Sequence, residues 1–404
     1  GDGIGASITI NSSGTTTFAS TLSTAQGITQ ADGAGLLTFQ DDVTINTGTT
    51  PTTFNADVTL DGLTITSYGN IVFGNESTDQ VQLSSAATII NMAGNNIDIL
   101  SAVDGNQGLT LNSTGTTSIS GTIGGTTPVA SLTTDFGGTS LLSSNISGQT
   151  GNIVFNDDVE INDSITIQNA NGGGLIFDRT VNGNNDLVLA ITGNTSFNAA
   201  LGDTTALGDG TGNSLTINST GATVFTSTLT TADGILQADS AGMVTLQNNV
   251  TIQNGGTAST FNADVTLDGL LTLTSAGELT FGNTAADQVT LSGADVSIIT
   301  TGVGDIITAN ALIDGGQNLT LTAADAVFLN APVGSSTPLI DITIVDAPDV
   351  TVADTVSAQT FTQQEGSGTT TFNGLVTLTG ANGLRFGTVS ALNNVTINGG
   401  IDTA

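Results

Sequence analysis

The chain has 404 residues and a formal charge of −33, from 35 acidic side chains against two basic ones, Arg179 and Arg385, with no histidine, cysteine or lysine. This composition excludes Ser-His-Asp and Cys-His nucleophiles, histidine-zinc centres, Schiff-base and P-loop lysines, and disulfides. It also excludes nucleic-acid backbone or anionic lipid as main partners, since too few cations exist to displace their counterions.

Hydrophobic residues make up 37 % of the chain, enough for a sizeable core. The prevailing types, Val, Ile, Thr and Phe, suit strands, and Gly, Asn, Asp and Ser suit turns. Glutamate occurs only at Glu76, Glu160, Glu278 and Glu365. No segment has the charged outer face of an amphipathic helix, and no apolar run is long enough for a membrane helix. The expected class is therefore all-β with almost no helix.

The elements recur along the chain. A strand at Ile8-Thr9-Ile10 is followed by copies of a motif of the form F-N-x-D-V-T-L/I at Phe39 to Ile45, Phe54 to Leu60 and Phe155 to Ile161. Leu109-Thr110-Leu111 is a further strand between them. At Gly208 the series restarts: Leu215-Thr216-Ile217, Leu246 to Ile252, Phe261 to Leu267, Leu319-Thr320-Leu321, and Phe372 to Leu378. The ten residues from Phe54 to Leu63 return unchanged from Phe261 to Leu270. The long period is about 207 residues, which divides the chain into a first repeat, 1–207, and a second, incomplete one, 208–404. The abrupt start and stop suggest a window from a longer array.

Within each repeat the strand-turn units recur roughly every 15 to 22 residues. A sandwich domain needs about 100 residues per unit. The shorter reset suits a parallel β-helix, or β-solenoid, of roughly 20 stacked coils, each resting on the last at about 4.8 Å. Inward Ile, Leu, Val and Phe would form ladders, with Thr, Ser, Asn and Asp outside.

The segment Ile123-Gly124-Gly125-Thr126-Thr127-Pro128-Val129-Ala130-Ser131-Leu132-Thr133-Thr134-Asp135 and its degenerate copy at Val333 to Leu339 resemble the β-strand-repeat regions of giant bacterial surface proteins of the filamentous-haemagglutinin-like kind. Asp104 to Leu111 and Asp314 to Leu321 resemble their D-G-x-Q-x-L-T-L element. The resemblance implies export, a right-handed β-helix, and a role as stalk, adhesin or filament. Zero cysteine agrees with an exported repeat protein stabilised by stacking, so the expected location is extracellular or cell-surface. High negative charge keeps such chains soluble and apart, and salt or divalent cations relieve the repulsion.

Among candidate sites, Asp57 and Asp61, with their matches Asp264 and Asp268, offer oxygen ligands for calcium beside turn carbonyls. The neighbouring pairs Asp41 with Asp42 and Asp157 with Asp158 could serve a polysaccharide hydrolase. They lie in a repeated turn motif spread along the chain, however, and turn geometry is the better account. Arg179 is expected to pair with a local acid such as Asp178 in a surface ion pair. The strings Thr64-Ile65-Thr66 and Thr272-Leu273-Thr274 suggest the threonine faces of ice-binding solenoids, but their irregular spacing favours ordinary outward strand positions. No catalytic residue is assigned. The expected function is structural, a surface fibre associating end to end or laterally. The alternatives are an adhesin stalk binding glycan or cell surfaces, and a polysaccharide-degrading β-helix.

Overall fold

The computed structural model describes residues 5–91, 95–390 and 392–403. Among them the regular structure is strand alone, in pieces mostly three to five residues long, with no helix. Each F-N-x-D-V-T-L/I motif is two strands joined by a corner: Leu37–Phe39 with Val43–Ile45, Thr52–Phe54 with Val58–Leu60, and Ser259–Phe261 with Val265–Asp268. The aromatic closes one face, the polar residues turn, and the V-T-L alternation opens the next. In the corners that follow, Gly62 and Gly269 adopt φ of +68° and +110°, a region that side chains rarely enter.

The coils stack by parallel pairing. Ile8 lies opposite Ile28, Val58 opposite Val81 and Ile71 opposite Ile97. In-register partners are between 19 residues apart, as for Thr139 and Asp158, and 28 apart, as for Thr280 and Thr308. The array is a β-solenoid of about 18 turns, slightly fewer than expected because inserted loops make many coils longer than 20 residues. It divides into two compact units between Ala199 and Ala200.

In the first unit, one sheet runs from Ile8–Ile10 through Ile28–Gln30, Thr52–Phe54 and Ile71–Phe73 to Val181–Asn182. A second runs from Thr16–Phe18 through Val58–Leu60 to Ala102–Asp104 and continues through a bridge at Ile123 to Ile146–Gly148. A third runs from Leu22–Thr24 through Gly108–Ser113 and Leu175–Phe177 to Thr195–Phe197. In the second unit, the first strands on the three faces are Asn213–Ile217, Thr223–Phe225 and Leu229–Thr231. There the strands Leu339–Asp346 and Val356–Glu365 grow to 8 and 10 residues.

The strand alternation decides what is inside. Val58 and Leu60 are buried on either side of half-buried Thr59, and Leu271 and Leu273 likewise flank Thr272. Because partners are in register, like stacks on like. The rings of Phe155 and Phe177 lie 5.2 Å apart and those of Phe177 and Phe197 4.8 Å apart, nearly parallel in both cases. Phe261 and Phe281 repeat the arrangement at 5.4 Å in the second unit. Stacked pairs of this kind contribute about 0.5–1.5 kcal/mol beyond the area they bury.

Polar groups inside the corners are held by the same repeat. Gln30 is fully buried, and its side-chain amide donates to the carbonyls of Gly35 and Asp57; Gln237 does the same to Gly242 and Asp264. The corners also approach one another closely. A side chain on Gly48 would collide with the carbonyl of Tyr68, and one on the matching Gly255 with that of Ala276.

The threonine strings are more regular than their spacing in the sequence suggests. Thr64, Thr88, Thr110 and Thr133 stand in one rank on successive coils, as do Thr260, Thr280 and Thr308. Unequal loops hide this register in the linear chain. Ranks occur on more than one face of each unit, as the strand preference of polar, β-branched threonine at outward positions would produce.

Replacing Phe177, sandwiched between two rings, with alanine should destabilise the first unit by about 3–5 kcal/mol. Replacing outward, exposed Thr251 should change stability by about 0.5 kcal/mol or less. Denaturant midpoints of the two variants check the difference.

Candidate functional site

The corners carry the carboxylates, and their first task is structural. Each turn leaves backbone N–H groups without a strand partner, and a short acceptor on the neighbouring coil supplies one. Asp42 accepts from the amide of Thr64 at 2.8 Å, and Asp57 from that of Gln80 at 3.0 Å. Asp104 accepts from the amides of both Thr126 and Thr127 at 2.8 Å, pinning the loop after Ile123. The second unit repeats the last arrangement, with Asp314 accepting from Ser336 and Thr337.

The residues expected to bind calcium lie at or beside corners of both units. The Asp57 and Asp264 carboxylates sit at equivalent corners, each accepting from the backbone of the following coil, Gln80 at 3.0 Å and Gln288 at 2.9 Å. The backbone amide of Asp61 donates to Phe39, and the Asp268 carboxylate accepts from the Gln247 side chain at 3.1 Å. Among the described residues, no group of three or more carboxylates converges. A cation at these corners would need backbone carbonyls for most of its shell.

The carboxylate pairs considered for hydrolysis differ from one another. Asp41 accepts from the amide of Asp42 at 2.8 Å. In the second unit Asn248 and Asn249 stand at the matching corner. Asn248 accepts from the amide of Asn249, and Asn249 from that of Thr272, both at 2.8 Å. The acceptor is kept while the charge is not, so closing this turn requires the acceptor and not the charge. Asp157 is buried, and its carboxylate accepts from the hydroxyls of Thr134 at 2.6 Å and Ser140 at 2.8 Å. Desolvation raises its pKa above the usual carboxylate range, against the lowering effect of the two hydroxyls. Its neighbour Asp158 accepts from the Thr180 hydroxyl at 2.7 Å and faces Arg179 at 3.8 Å.

Comparison of the chain with protein-family models, with curated proteins and with solved structures finds no match. The site must therefore be read from its own geometry.

Two features escape a linear reading. Arg179 does not pair with Asp178. It reaches back to Asp158 one coil away and stacks over the ring of Phe136, 4.0 Å from its centroid, two coils away. Asp178 instead accepts from the Asn198 side chain at 2.7 Å. In the second unit, Asp346 and Glu365 are in-register neighbours on the wall of a crevice of about 330 Å³, with Ser367, Ser390 and Asn393. Separations of one coil length are the signal that would have found both. A crevice of about 370 Å³ in the first unit, lined by Thr122, Asn145, Ser147, Thr166 and Gln168 among others, has amides and hydroxyls and no carboxylate.

The raised pKa of Asp157 has a definite sign. The folded state holds this proton more tightly than the unfolded state. The resulting stabilisation is present in acid and fades as pH rises through the folded pKa. Asp157→Asn lacks that dependence. Between about pH 4 and pH 7 its melting temperature, measured relative to the parent chain, should therefore move upward.

Proposed function

We propose that the chain is structural material of an extracellular bacterial surface fibre or stalk. The observation that carries this reading is the in-register parallel stacking of its coils, in which most side-chain chemistry is spent on holding one coil to the next. The corner carboxylates of Asp42, Asp57, Asp104 and Asp314 are engaged by neighbouring backbone, and the matched Asn249 shows that the bond does not require charge. The filamentous-haemagglutinin-like resemblance of Ile123 to Asp135 supports the same reading, as does the lack of cysteine.

Association of copies, edge strand to edge strand or side by side, belongs to the proposal. The charge of −33 opposes it, so divalent cations enter as the agent that permits contact, with Asp57, Asp61, Asp264 and Asp268 as oxygen donors. An adhesin is the second reading, favoured by the exposed ring of Phe136. A polysaccharide-degrading β-helix would have to work through a pair such as Asp346 and Glu365, with no histidine or lysine to assist.

Electron microscopy with and without calcium tests the fibre. The expected result is uniform fibres that lengthen or bundle in millimolar calcium and disperse with a chelator. Isolated particles under every cation and salt condition would count against it.

A further inference from the structure

The corner row that carries Phe136 differs from the others. Successive coils contribute Asp135 to Gly138, then Asn156 and Asp157, then Asp178 to Thr180, then Asn198. The first of these corners is the longest, four residues between Thr134 and Thr139, with Gly138 at φ of +82° beside the carbonyl of Gly115 and Phe136 exposed within it. Phe136 is 70 % exposed, whereas the chain's other phenylalanines are buried or half-buried. An exposed ring on a mobile loop would be poorly placed for recognition. This one is braced by the guanidinium of Arg179 at 4.0 Å, itself held by Asp158.

We propose that this corner row is a binding site for a neutral oligosaccharide. A sugar ring has an apolar C–H face that stacks on an aromatic plate and a rim of hydroxyls that need acceptors and donors. The face of Phe136 away from Arg179 supplies the plate, and Asp178 and Asn198, hydrogen-bonded to each other on adjoining coils, supply the polar groups. Each coil advances by about 4.8 Å, close to the advance of a glycan chain per sugar, so Asp178 stands two such steps and Asn198 three steps from Phe136. Ligand sites of this kind combine one apolar anchor with a few placed polar groups, and the fixed ring lowers the ordering cost of binding. The ligand is neutral because the one cation nearby is already opposed by Asp158, and because Asp158, Asp178 and Glu160 repel anionic sugars.

Among the described residues the second unit does not repeat this arrangement. The corresponding corner of the second unit, between Leu339–Asp346 and Asp349–Val352, holds Ala347, fully buried, and Pro348. A feature needed merely to turn the chain would recur with the other corner devices. Loss of this site would leave the fibre reading untouched, since microscopy tests that separately.

Calorimetry on the whole chain decides the matter. The probes are neutral hexasaccharides (β-1,4- and β-1,3-glucan, chitin-type and α-1,4-glucan) together with one acidic hexasaccharide, a galacturonate. The expected result is binding of at least one neutral hexamer. Phe136→Ala should weaken it by about tenfold or more, Phe136→Tyr should retain it, and Leu270→Ala, an exposed position in the second unit, should leave it unchanged. No heat with any neutral hexamer, or unaltered binding by Phe136→Ala, would overturn the proposal. Binding confined to the acidic hexamer and abolished by Arg179→Gln would overturn it as well.

Discussion

In-register parallel pairing from one coil to the next is the constraint on which everything else in this protein rests. A single coil of three short strands cannot cover its own apolar side chains, so the covering must come from the coils before and after it. Parallel pairing at a constant register then forces identical positions onto one another. Leu, Val, Ile and Phe form continuous ladders inside each unit, and any residue at an inward position is judged by its fit to the same position one coil away. The stacked rings of Phe155, Phe177 and Phe197 are the fullest case.

The corners follow from the same constraint. A coil must turn three times, and each turn exposes backbone donors that a sheet would otherwise satisfy. Aspartate and asparagine meet the need across coils, and the exchange of Asp42 for Asn249 with an unchanged 2.8 Å bond separates geometry from charge. The acidity of the chain is thus an addition to a requirement for acceptors. Its physical effect is like-charge repulsion between copies at low salt.

Much of this was legible in the sequence. Alternation in V-T-L segments, aromatic-before-turn spacing and the absence of helix-forming charged residues specify short strands and corners, and the 207-residue repeat shows which corners are equivalent. Register was the part not legible. Loop insertions let partners stand 19 to 28 residues apart, so ranks such as Thr260, Thr280 and Thr308 look irregular on the page. For the same reason, the candidate site at Phe136, Asp158, Arg179 and Asn198 was invisible to reasoning about near neighbours. Local reasoning pairs Arg179 with the adjacent Asp178, because no local pattern shows that Phe136 lies two coils back.

Register can be tested without ambiguity because the chain has no cysteine of its own. A variant carrying Thr280→Cys and Thr308→Cys places its only two thiols on in-register neighbours, within the Cα separation of about 4.4–6.8 Å that a disulfide spans. The account predicts that this pair closes fully under mild oxidation, whereas Thr280→Cys with Ala309→Cys, one residue out of step and facing inward, stays reduced. Equal closure of the two pairs, or closure of the second alone, would contradict it.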